Sequence, residues 1–424
     1  MRPILVVVLT VLLDLLGFGI VIPTLPYYAQ AFDASPMQVT LLMAAYSLAQ
    51  FVCVPLLGQL SDRVGRRPVM LVSIGLTAVM LFALAASRAL WMVVLFRVLH
   101  GAMTANIGTA QACIADLTTP ENRARGMGLF GAAFGVGFTL GPLAGGELSR
   151  VPAWLASHGA LEPLLPLIGG DAERARLAFP LFVAAFLSAT NLLLALRFLP
   201  ETRRPDSEAS RRSISPRALV DAVTHPVVGL CILLAALQIF AFSAMEACFT
   251  LFAERAWSFQ PADVGRYFGL VGIVGIVVQG GLIGMLVRRF GEARLVPIGL
   301  VLLGVGLALT PLTRPDWTLA AVFCVIAVGQ ALATPALQAL ISRGVGPHEQ
   351  GAVLGSGQSL GALSRAVGPA FAGLLFTRVT PAAPFWVAAA LLSVGAALAV
   401  PATARAMRGR DAATRAPPGR SSSG

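Results

Sequence analysis

Apolar stretches of about 20 residues, almost free of charge, recur along this chain, and each can cross a hydrocarbon layer of about 30 Å. Inside such a layer every backbone N–H and C=O must find a partner within the protein, so only helices and closed barrels span it. Barrel strands would be alternating runs of about ten residues; the runs here are longer and continuous, which makes them helices. Composition agrees, with 57% of residues hydrophobic and 12% charged, far from the usage of soluble domains. The expected fold is an all-α polytopic membrane protein with twelve transmembrane helices. The spans fall at about 4–25, 38–60, 69–87, 90–114, 126–148, 177–198, 226–252, 262–286, 294–312, 317–341, 351–376 and 382–401. The first run resembles a signal peptide, but Asp14 interrupts it and no small-residue cleavage site follows, so it is kept as a span.

A net charge of +11 would suit a nucleic-acid binder, but its placement argues otherwise. There is no lysine, so all 31 basic residues are arginines, and most lie in segments on the side of the N-terminus. That bias puts both termini in the cytoplasm of a multi-pass inner (plasma) membrane protein. No nucleic-acid partner is expected. The five cysteines all lie in apolar runs, odd in number and without metal-ligand spacing, so they read as small buried hydrophobes and no metal or cofactor is expected.

Residues 199–225 are rich in Arg, Ser, Pro and acids, which is linker chemistry. They divide the chain into a bundle at 1–198, carrying an external insertion at 149–176, and a bundle at 226–401. A disordered cytoplasmic tail is expected at 402–424. The insertion reads as a lid or interfacial hairpin, or as an elaboration with no role in transport. The halves repeat each other. Pro120, Gly128, Gly141, Pro142 and Gly146 return as Pro347, Gly355, Gly368, Pro369 and Gly373, at a constant offset of 227. Pro36 and Val39 return as Pro261 and Val264. Two parallel six-helix repeats with a substrate path between them are a transporter architecture.

Between the second and third spans lies the compact charged turn from Gly58 to Met70, with Asp62, Arg63, Gly65, Arg66 and Arg67. Its second-half counterpart keeps Gly284, Leu286 and Gly291 but has Arg288 where the first half has Asp62, so that acid belongs to the first half alone. Charges inside spans are costly, about 2.5–3.5 kcal/mol at helix centre on insertion scales. Asp14 and Arg97 sit at matched depth, so they form either a proton-coupling pair or a static ion pair that pins two helices. A carboxylate held there suits proton uptake and release near neutral pH. Gln238 falls near the repeat equivalent of Asp14, and Glu246 lies two turns along the same face, nearer the outer surface. It reads as a second proton-coupling or cation-recognising carboxylate, or as an interfacial residue. Arg365 can hold Glu246, an anionic substrate or helix-end carbonyls. Phe18, Phe240, Phe242 and Met245 either line the path or pack.

The fifth span carries Gly128, Gly137, Gly141, Pro142, Gly145 and Gly146, small residues that permit close helix approach around a proline bend. This pattern resembles the antiporter signature of drug-exporting members of the major facilitator superfamily, and the charged turn resembles that family's loop between helices 2 and 3. Further likenesses are Leu13, Asp14, Gly17, Gly19, Ile20 and Pro23 in the first span, and Leu95 to Gly101 in the fourth, with His100 in place of the usual glutamine. Ala115 and Asp116 resemble the loop before helix 5. The group resembled most is the tetracycline-efflux-like drug:proton antiporters. The resemblance implies the major facilitator fold, proton coupling at Asp14 and Arg97, and gating at Asp62 and Arg66. It departs at Met80, Gly275 and Leu303, where tetracycline pumps carry acidic or histidine residues for the metal–tetracycline substrate.

Together these features lead us to expect a proton-coupled exporter of a small amphipathic organic compound, working by alternating access as a monomer in the lipid bilayer. The alternative is a facilitator that imports or exports an endogenous metabolite or sugar. No nucleophile–base or nucleotide-binding constellation supports an enzyme.

Overall fold

The computed structural model describes residues 3–104, 107–119, 122–152, 154, 172–202, 228–345 and 350–415. Most of the insertion at 149–176, the linker beyond Thr202, Pro120 and Pro347 lie outside the described residues. Twelve helices among the rest are long and apolar enough to span a membrane, and no strand occurs among the described residues. They are α1 (Pro3–Gln30), α2 (Pro36–Val64), α3 (Arg66–Ala85), α4 (Leu90–Met103 continuing as Ile107–Leu117), α5 (Arg123–Leu148) and α6 (Ala172–Phe198). The second half supplies α7 (Val228–Trp257), α8 (Pro261–Phe290), α9 (Glu292–Leu309), α10 (Trp317–Arg343), α11 (Gln350–Arg378) and α12 (Ala383–Arg415). Within α8 one turn, Val278–Leu282, is a π-helix at a Gly-Gly pair.

Helix α12 runs to Arg415, so the disordered tail expected from 402 is helical over its first part. The strong helix formers Ala402, Ala404, Arg405, Ala406, Met407 and Arg408 carry the helix on past Pro401.

Local chemistry places the turns. Ser35 caps α2 through a capping box with Gln38, and Pro36 occupies the first helical turn, where its missing N–H costs nothing. Only four described residues have positive φ: Asp33 (59°), Gly65 (120°), Ser258 (56°) and Gly291 (75°). They form two pairs, Asp33 with Ser258 and Gly65 with Gly291, at the same repeat offsets that relate the motifs. The two halves therefore share their chain reversals as well as their helices.

Packing repeats in the same way. In the first half α1 lies against α5 and α6, α3 against α6, and α2 against α4; in the second, α7 lies against α11 and α12, α9 against α12, and α8 against α10. Between the halves, α2 packs on α11 and α5 on α8, two contacts related by the pseudo-two-fold. Because this seam is where the bundles can move against each other, it positions the site.

Candidate functional site

At the centre of the seam the intramembrane charges gather around Tyr46 of α2. Arg97 of α4 is 2% exposed. Its guanidinium carbon lies 4.0 Å from the Tyr46 ring centroid and 5.7 Å from that of Phe18. Its Nη1 is 3.1 Å from His100 Nδ1, while its Nε is buried without an acceptor. Tyr46 itself bonds Thr104 at 2.7 Å. Helix α4 reaches this close to α2 because residue 101 is glycine, since a Cβ there would strike the Tyr46 backbone.

The expected Asp14–Arg97 ion pair does not form. Asp14 turns toward α6, where it accepts a hydrogen bond from Asn191 Nδ2 at 2.9 Å. Arg97 instead faces Tyr46 and, across the seam, Glu246. Asp14 thus bonds Asn191 on α6, while Arg97 lies over the Tyr46 ring on α2.

Helix α7 continues to Trp257, five residues beyond its expected end at 252, so Glu246 sits about 16 Å inside that end at 1.5 Å per residue. Its electrostatic neighbours are Arg365 on α11 and Arg97 on α4, and Arg365 is exposed. Gln238 behaves differently. It is 2% exposed and donates to Gln330 Oε1 and Thr334 Oγ1, each at 2.8 Å, so it ties α7 to α10 inside the second half and does not face the seam. Phe18 stacks among Tyr46 and Phe138, with Phe134 beyond, whereas Phe242 packs, half-buried, against the hydrophobic core that runs through both halves.

The glycines of α5 divide by the surface they serve. A Cβ on Gly141 would lie 2.6 Å from Gly19 Cα, one on Gly145 2.8 Å from Ile20 Cα, and one on Gly137 3.3 Å from the Leu15 carbonyl carbon. These three let α5 lie on α1 within one bundle. A Cβ on Gly146 would instead lie 2.7 Å from Pro261 O and 2.9 Å from Ala262 Cα, at the start of α8 in the other bundle. Its repeat mate Gly373 makes the matching approach to Thr40 at the start of α2. At the opposite end Gly58, Gly128, Gly280, Gly284 and Gly355 face open space, with nothing within 4 Å of an added Cβ. The bundles are closed at the end holding Asp33 and Ser258 and apart at the end holding the charged turns.

The charged turn is built around Arg66. It pairs with Asp62, donates to Ser61 Oγ at 2.7 Å and lies 3.4 Å from Asp116 Oδ2. Glu201, which sequence reasoning passed over as linker, accepts from the backbone N–H of Arg66 at 3.0 Å and of Arg67 at 3.1 Å. A carboxylate at the first turn of α3 suits the positive end of the helix dipole. Arg67 ties back to Leu196 O at 2.9 Å, and Arg63 is exposed.

The second half has the same device with its signs reversed. Where the first half has Asp62, Arg66 and Asp116, the second has Arg288, Glu292 and Arg343 at matching repeat positions. Glu292, 6% exposed, pairs with Arg343 at 2.8 Å. The acid was therefore not lost from the second turn; it moved one helical turn along, to the other side of Gly291.

The Major Facilitator Superfamily model matches residues 7–283 and 280–422, together nearly the whole chain. The chain belongs to the major facilitator superfamily. This facilitator is 31% identical over 369 residues to the class C tetracycline resistance protein of Escherichia coli, covering 85% of this chain and 86% of that one. It is 28% identical over 368 residues to multidrug resistance protein 2 of Bacillus subtilis, covering 85% of each. Among solved structures, the human organic anion transporter MFSD10 superposes with a TM-score of 0.69 at 27% identity, covering 94% of this chain and 99% of that one. Members of this superfamily are membrane transporters, not enzymes.

Where this facilitator departs from the tetracycline pattern, the side chains are ordinary ones: Leu303 is fully buried core, Met80 is half-buried and Gly275 borders the open part of the seam. At the closed end a cross-bundle cluster forms that no sequence motif announced. Arg266 Nε of α8 lies 2.8 Å from Glu147 Oε1 of α5, and Arg150 lies 3.8 Å from Asp263. Nearby, Tyr27 donates to Phe259 O at 2.8 Å and Arg176 to Gln260 Oε1 at 2.6 Å. Each exposed pair is worth about 0–1 kcal/mol and is screened by salt. Arg266→Gln is therefore expected to raise the fraction open at this end only a few-fold, and less at high salt. Spin-label distances between Gln38 and Arg378 measure that fraction, and a salt-independent shift would show that the pairs are not the cause.

Proposed function

We propose that this facilitator is a proton-coupled exporter of a small amphipathic organic compound, embedded in the inner (plasma) membrane with both termini in the cytoplasm. The observation that carries this is Glu246: a carboxylate within the span of α7 whose electrostatic neighbours are Arg365 of α11 and, from the other bundle, Arg97 of α4. A proton bound there neutralises the one carboxylate these guanidinium groups share, so protonation changes the charge of the seam at the point where the bundles part. With the arginine-rich side cytoplasmic, the open end faces inward and the closed end outward, a state ready to take substrate from the cytoplasm. Substrate and proton then favour opposite facing states and exchange across the membrane. The tetracycline and multidrug resistance relatives support drug-like compounds as cargo and export as the direction.

The test is transport by the purified protein in proteoliposomes with an imposed pH gradient, followed by a lumenal pH dye and a panel of labelled amphipathic compounds. Proton flow opposite to substrate flow is expected. Substrate movement indifferent to the gradient, or running with the protons, would exclude antiport.

In the outward-facing state we propose that Asp62 meets the positive N-terminal end of α11, latching the cytoplasmic side through the contact that Gly58 and Gly355 leave room for. Asp62→Asn is expected to lower the population of that closed state, lengthening the mean spin-label distance between Arg63 and Arg289. An unchanged distribution would remove Asp62 from the latch.

A further inference from the structure

The two charged turns meet their helix dipoles in opposite ways. In the second half Glu292 opens α9 at the positive end of its dipole, while Arg288 and Arg343 lie in the last turns of α8 and α10, at negative ends. All three charges suit their places. In the first half the matching residues are reversed. Arg66 and Arg67 open α3, which has no acid in its first turn, and Asp62 and Asp116 lie in the last turns of α2 and α4. The start of α3 therefore needs a carboxylate from elsewhere in the chain.

Glu201, just past the end of α6, supplies it. Its Oε1 accepts from the Arg66 N–H at 3.0 Å and its Oε2 from the Arg67 N–H at 3.1 Å. A Cβ on Gly65 would lie 2.6 Å from Oε2, so glycine there lets the carboxylate seat this closely. Arg67 Nη2 reaches Leu196 O at 2.9 Å, and Thr202 Oγ1 lies 3.5 Å from Asp116 Oδ2, which stitches the end of α6 to the turn on two more sides. The repeat supports the same division of labour. Leu199, Pro200, Glu201 and Thr202 return as Val400, Pro401, Ala402 and Thr403, at an offset of 201 because the insertion at 149–176 lengthens only the first half. The half that carries its own acid at the start of α9 has alanine in place of Glu201.

The other acids at this helix end are Asp62 and Asp116, both on the Arg66 guanidinium. Without Glu201, two arginines and two unanswered N–H groups at the positive end of α3 draw these acids more tightly into the turn. Asp62 is the one that must turn outward to meet α11. Resting on the latch proposed for Asp62, we propose that Glu201 is its positioning residue: by capping α3, Glu201 lets Asp62 leave the turn and engage α11 when the cytoplasmic side closes. The start of the linker between the bundles thereby sets the balance of facing states.

The test is a double-mutant cycle on the purified full chain, read by spin-label distances between Arg63 and Arg289 and by melting temperature. Glu201→Ala is expected to lower the closed population about three- to tenfold, as loss of a helix-capping side chain predicts. Asp62→Asn should lower it at least as far, and the double variant no further than Asp62→Asn alone. Glu201→Gln keeps the length of the side chain and one acceptor oxygen; it should shift the distances in the same direction and answers the question if the alanine variant does not fold. A cap that only holds the fold together would lower the melting temperature and change the populations by the same factor with or without Asp62. No shift in either Glu201 variant, a shift to shorter distances, or an effect of Glu201→Ala undiminished in the Asp62→Asn background overturns the assignment and leaves the latch standing. Unshifted distances in Asp62→Asn remove the latch, and the role of Glu201 with it.

Discussion

Glu246→Gln is expected to abolish uphill transport, while downhill exchange persists at a raised substrate requirement. Moving one proton across a two-unit pH gradient releases about 2.7 kcal/mol, enough to sustain roughly 100-fold accumulation of an exchanged neutral substrate. Glutamine keeps the shape of the side chain and its hydrogen-bonding capacity but cannot carry the proton, so the accumulation ratio should fall from roughly 100 toward one. The sign for pH follows from the same competition. In the unmodified protein substrate binding weakens as pH falls, because protonation removes the carboxylate; in the variant this dependence disappears. Asp14→Asn is the informative comparison. The amide introduced there keeps a carbonyl oxygen that can still accept from Asn191, so the α1–α6 contact survives and accumulation should drop far less. Gradient-driven accumulation that is retained in the Glu246 variant and lost in the Asp14 variant would move proton coupling to α1, as family resemblance had suggested.

The second large effect comes from adjacent glycines with different neighbours. Gly146→Val places side-chain carbons against the backbone of Pro261 and Ala262 in the opposite bundle. Overpacking of this kind costs about 1–3 kcal/mol, which corresponds to a shift of about five- to 150-fold. That cost falls only on the state closed at the outer end, so the Gln38–Arg378 distances should move to the open distribution with little change in melting temperature. Gly145→Val strikes Ile20 of α1 in the same bundle. That contact lies within one bundle and is present whichever end is open, so the variant should lower the melting temperature and leave the distances unshifted. Similar behaviour of both variants would show that the glycine run acts as one packing surface and not as two.

Much of this was legible in the residues because it is governed by local physics. Hydrophobic length specifies a spanning helix, since unpaired backbone in hydrocarbon is prohibitive. Turn chemistry specifies the reversals: the repeat offset read from Pro36 and Pro261 reappears in the positive φ of Asp33 and Ser258. Glu201 was missed because a helix-capping carboxylate more than a hundred residues away in sequence leaves no spacing to read. The reversed-sign turn was missed because Glu292 lies outside the motif that defines the first-half turn, although its pairing with Arg343 reproduces the pairing of Arg66 with Asp116.

The sequence by itself determined twelve helices, their division into two repeats, and which residues carry charge into the membrane. Only the tertiary structure decided which of those charges face one another. Counting residues along a helix gives depth, but the direction of a side chain around the helix axis depends on how neighbouring helices pack. Here that packing is set by close approaches such as Gly141 on Gly19 and Gly101 on Tyr46. They turn Asp14 toward Asn191 and leave Arg97 facing the seam, where Glu246 and Arg365 arrive from the other half of the chain.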